Sequence, residues 1–256
     1  MKQLYLFARS LNGPITRNFT GGDQGLGGVI TVEQILATAA HRAGLSASGL
    51  SITGLSQKYG AVSSHVRIGP ADTSIFSPRI PWGEADILLG CDLVSSSGRE
   101  SLSTLGQGRT SAVVNVDTAP TAEFVHDRNA KVPKAEMMQS ISDTVGLDKI
   151  HCIEATSYAR ELFGDSIETN IFLVGYAFQL GLIPIRSAAI IEAIELNGQD
   201  VVGNLRTFAC GRFAAAFPQE FASKKWHWKR DVERARPTSF QERFDRLFNE
   251  LVAYQN

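Results

Sequence analysis

Chemistry-bearing side chains concentrate in "GLSQKYGAVSSHVRIG" (54–69), where Gln57, Lys58 and Tyr59 lead into a run that alternates apolar and polar residues. With a period of two, Val62, Ser64 and Val66 share one face of a strand, and Ser63, His65 and Arg67 share the other. A face of serine, imidazole and guanidinium cannot be buried in apolar packing without partners, so it is expected to meet solvent, a neighbouring subunit or a ligand. No nucleophile–base pair accompanies it, and no catalytic residue is assigned.

A second stretch, "GGDQGLGGVIT" (21–31), is a glycine-rich loop entering a helix. Gly25, Gly27 and Gly28 would let a ligand approach backbone N–H groups near the helix N-terminus, with Thr31 as the N-cap. Three readings stay open: a ligand-facing loop, a packing turn, or a nicotinamide or flavin site. The last requires a hydrophobic strand before the loop and an acidic residue closing the next strand; "PITRNFT" and "LSITG" supply neither.

Elsewhere the polar signals are structural. In "GDSIETN" (164–170), Asp165 or Ser166 can cap a helix and Glu168 suits its first turn. Asn197 and Asn204 would share a face if one helix ran through both. His126, His151 and His227 are scattered without a metal-binding pattern, so no metal site is expected. Cys91, Cys152 and Cys210 lack any C-x-x-C pair and are expected to be buried, reduced small hydrophobes. Trp226, His227 and Trp228, flanked by Lys224, Lys225, Lys229 and Arg230, are expected to be a surface patch or contact anchor.

These groups need positioning elements. Helix-like and strand-like patterns alternate from about residue 25 to 155: helix 31–45, strands 50–53, 61–68 and 85–91, helix 100–105, strand 111–116, helix 132–146 and strand 149–155. Four further helical segments follow, in "SYARELF", "ETNIFLVGYAFQLG", "RSAAIIEAIELNG" and "VGNLRTFACGRFAAAF". The expected fold class is α/β, a three-layer α/β/α sheet domain with a helical C-terminal segment. The expected division is 1–217 for that domain, its α/β core reaching about residue 155, and 218–256 for a charged linker and amphipathic helix carrying Phe240, Phe244, Leu247, Phe248 and Leu251.

Twenty-five basic against 26 acidic residues leave a net charge of -1, which gives no global attraction for nucleic acid or anionic membrane. No window approaches the ~20 apolar residues of a membrane helix, and the N-terminus lacks a convincing leader, so the expected location is the cytoplasm.

At "GLSQKYGAVSSHVRIG" and the following "GEAD" (Gly83, Glu84, Ala85, Asp86), the chain resembles the gamma subunit or domain of the 2-oxoacid:ferredoxin oxidoreductases. "GRTSAVVNVDTAPTAEFVHDRN" and "GDSIETNIFLVGYAFQLGLIP" with "AIELNG" look like the gamma region of the fused indolepyruvate ferredoxin oxidoreductases. The resemblance covers roughly residues 25–217. In the glycine loop, Gly25, Gly28 and Thr31 match the family pattern, whereas Asp23 and Leu26 stand where it has glycines; the first 20 residues are unmatched and carry no expectation of the usual first strand.

The resemblance implies a share in oxidative decarboxylation of a 2-oxoacid, with indolepyruvate or another aryl pyruvate favoured. It implies no cofactor on this chain. Thiamine diphosphate, Mg and iron–sulfur clusters would sit on partner subunits or domains, with CoA a candidate substrate and ferredoxin an indirect partner. Gln57, Lys58, Tyr59, Ser64, His65, Arg67, Asp165 and Asn170 then fall on an interface or ligand rim, and the isolated chain would be inactive, a homodimer remaining open. Two other readings stand beside this: a free-standing Rossmann-like nucleotide-binding protein, and a purely structural assembly module.

Overall fold

A computed structural model describes residues 2–9, 27–53, 61–117 and 132–223. Six strands form one sheet: β1 (Lys2–Arg9), β2 (Ser46–Thr53), β3 (Ala61–Gly69), β4 (Ile87–Gly90), β5 (Ser111–Asn115) and β6 (Ile150–Ile153), in the order β2-β3-β1-β4-β5-β6. Strands β1, β4, β5 and β6 run parallel, and β3 lies antiparallel to both β1 and β2. The described helices are α1 (Gly27–Arg42), α2 (Leu93–Ser96), α3 (Arg99–Thr104), α4 (Lys134–Val145), α5 (Ala155–Phe163), α6 (Thr169–Gln179), α7 (Ser187–Asn197), α8 (Val201–Ala216) and α9 (Pro218–Ser223).

Burial on both sides of β4 divides the core in two. Ile87 and Leu89 face α1 and the C-terminal helices, packing with Ile35, Leu36, Phe172 and Ile190. Leu88 points the other way, joining Ala112, Val114, Leu93, Ile141 and Val145 beneath α2 and α4. That alternation is why a four-residue strand without a polar side chain reads as continuous apolar sequence. The result is the expected α/β/α layering.

Helix α1 buries Val29, Val32, Ile35, Leu36, Ala39 and Ala40 on one side. It begins at Gly27, so Thr31 lies inside the helix and does not cap it. The larger correction is β1: the unmatched N-terminus supplies a full strand, seated between β3 and β4. Strand β2 also starts earlier than expected, because Ser46–Gly49 pair with β3 from Gly69 to Val66.

From residue 155 to 223 the chain is helical, as expected. Helix α7 ends at Gly198 in the left-handed region (φ 72°), so Asn197 and Asn204 lie on separate helices, and the Asn204 amide instead donates to the Gln199 carbonyl. Helices α6 and α8 pack backbone to backbone: a Cβ on Gly175 would lie 2.2 Å from the Phe208 carbonyl oxygen, and one on Gly211 2.0 Å from that of Phe172. Helix α9 adds Phe221 to the same core, against Tyr158, Phe172 and Phe213. The expected amphipathic helix around Phe240–Leu251 lies outside the described residues.

The α6–α8 contact has no room for a methyl group, and its neighbours are backbone atoms that cannot rotate aside. Gly175→Ala and Gly211→Ala are each expected to lose about 2–3 kcal/mol of stability, read as a lower urea midpoint at unchanged slope.

Candidate functional site

The parallel strands all end on one edge of the sheet, where the chain turns into helices. Strand β1 feeds α1 on one face, while its neighbour β4 feeds α2 on the other, so the connections diverge between β1 and β4. In open α/β sheets that divergence leaves a crevice at the carboxyl ends of the strands. Gly27 and Gly28 open α1 at this edge, and Thr53 and Ala61, which flank residues 54–60, end and begin their strands there.

Asn115, at the end of β5, organises this edge. Its Nδ2 donates to the Cys91 carbonyl at the end of β4 (3.0 Å) and to Thr156 Oγ1 (2.8 Å). Its Oδ1 accepts from the backbone N–H groups of Ala155 (3.0 Å), Thr156 (3.4 Å) and Asp117 (3.2 Å). One buried amide thus ties β4, β5 and the start of α5 together. Asp117 accepts from the Ser157 N–H (2.7 Å) and hydroxyl (2.8 Å), and Asp92 Oδ2 accepts from Ser95 N–H (3.0 Å). The edge presents hydroxyls, carboxylates and a helix N-terminus. Among the described residues, no group of three or more His, Cys, Asp or Glu could hold a metal ion.

The thiols are held away from chemistry. Burial, reinforced by Asp92, pushes the Cys91 thiol up to about 12, and burial pushes Cys210 up to about 11. Neither forms, at neutral pH, the thiolate that nucleophilic attack requires. Cys152 departs from expectation: it is exposed, on the edge strand β6.

The polar strand is housed differently from the expectation. His65 is only 1% exposed and Ser64 is fully buried, so neither lies open to a ligand or subunit. The cause is the segment after β3, residues 70–84, which returns as a strap across the Ser63/His65/Arg67 face. Ile80, itself buried, donates its N–H to His65 Nδ1 (3.2 Å), and Arg67 Nη1 donates to the Ser77 carbonyl (2.7 Å). Because Nδ1 accepts, the neutral ring carries its proton on Nε2. Burial, with the Arg79 guanidinium second, pulls the His65 pKa down to about 4. Ser64, on the opposite face, meets Ser51 (2.6 Å), whose hydroxyl also bonds Glu33 of α1.

The other sequence-derived candidates are dispersed. Asp165 is exposed; its Oδ1 accepts from the N–H groups of Ser166 (2.6 Å) and Ile167 (3.3 Å), closing a turn before α6, and it does not cap the helix. Asn170 is half-buried on α6. Gly25, Gln57, Lys58 and Tyr59 lie outside the described residues. The sequence reading missed Asn115 and Asp117, whose one signal was a polar residue closing an apolar strand at "SAVVN".

Residues 19–214 match the family described as "Pyruvate ferredoxin/flavodoxin oxidoreductase". The chain is 27% identical over 191 residues to the indolepyruvate oxidoreductase subunit IorB of Thermococcus kodakarensis, covering 73% of this chain and 90% of that one. In fold it is similar to the gamma subunit of a keto/oxoacid ferredoxin oxidoreductase from Geobacter sulfurreducens, with TM-score 0.53, 18% identity, and coverage of 84% of this chain and 99% of that chain. It is also similar to part of the 2-oxoglutarate:ferredoxin oxidoreductase of Magnetococcus marinus, with TM-score 0.56, 14% identity, and coverage of 89% of this chain but 33% of that longer one.

Two measurements check the geometry. Asn115→Ala is expected to cost about 3 kcal/mol or more, because it strands several buried polar groups at once. Above pH 6.5 His65 is neutral folded or unfolded; as pH falls from 6.5 to 4 the unfolded chain takes up a proton that the folded chain refuses. Stability should therefore drop by about 3 kcal/mol across that window, and urea titrations of His65→Gln should lack that limb.

Proposed function

The chain belongs to the pyruvate ferredoxin/flavodoxin oxidoreductase family, and from that premise we propose that it is the gamma-type component of a 2-oxoacid:ferredoxin oxidoreductase, working in the cytoplasm. The carrying observation is that the match spans residues 19–214, five of the six strands and most of the helices behind them, and is not confined to one glycine-rich loop. Indolepyruvate or another aryl pyruvate is the substrate class we favour, on the strength of the names its curated relatives carry.

The three cysteines do not fit an iron–sulfur cluster of their own. Cys91 follows β4, Cys152 lies on β6 and Cys210 on α8, and among the described residues they form no metal-binding group. Cluster ligation takes four thiolates in the usual case, so the electron-carrying clusters belong on partner subunits, as does thiamine diphosphate, which supplies the carbanion chemistry of decarboxylation when bound. The contribution of this chain is surface and shape: the edge built on Asn115, Asp92 and the N-terminus of α1 faces either the partner's active site or the CoA that accepts the acyl group.

The pure chain, given indolepyruvate, CoA and methyl viologen, is expected to reduce no dye, and the activity should arise only once thiamine- and cluster-bearing subunits are added. Dye reduction by the chain alone would overturn the proposal.

A further inference from the structure

We draw no further inference here: the strongest candidate, the surface of the strap after β3 that holds Phe76 and Trp82 in solvent, carries no proposal because nothing in the structure shows what covers it.

Discussion

A buried amide at the end of β5 is the constraint on which the crevice depends. Parallel strands end in free carbonyls and amides that the sheet no longer pairs, and three such ends meet beside Asn115. Its side chain has one donor group and one acceptor, and both are engaged: the donor by β4 and α5, the acceptor by backbone N–H groups on both sides of the β5–α5 gap. No apolar residue could do this, and a charged one would lack either the donors or the acceptor. The entry of α5, and through it the stack of C-terminal helices, is oriented by this one side chain.

A similar economy governs the other half of the sheet. Strand β3 carries serine, histidine and arginine on the face away from α1, and a second helical layer there would bury them without partners. The fold uses an irregular segment instead, because irregular backbone has spare N–H and C=O groups to offer: Ile80 N–H for the imidazole and Ser77 C=O for the guanidinium. The polar side chains therefore act as the moorings of the strap. Outward display of Phe76 and Trp82 follows from inward attachment at Ser77 and Ile80.

Much of the architecture was legible in the residues. The unbroken apolar runs of β4 and β5, the helical periodicity of α1, and the helix-ending glycines after residue 155 each have a local cause, so reading them needs no knowledge of what they pack against. What resisted reading depends on distant partners. "KQLYLFAR" is a strand because β3 and β4 flank it, and nothing within it says so. Ser46–Gly49 have weak strand propensity and are extended because β3 pairs with them. The alternation in "VSSHVRI" correctly separated two faces, but the burial of His65 depended on residues 70–82, which have no periodicity to reveal where they return. Asn115 was overlooked because a single polar residue after an apolar run is common, and only the convergence of three strand ends gives it meaning.

The sulfur distribution makes the molecule easy to instrument. Cys91 and Cys210 are enclosed by the core, whereas Cys152 stands on the outermost strand β6 and reaches solvent. A maleimide fluorophore would thus find one attachment point in the native chain without any cysteine being removed, under mildly alkaline conditions, since partial burial holds that thiol above its usual value. That point lies one residue before the end of β6, whose final residue pairs with Asn115, so the dye would report on the crevice edge from just beside it.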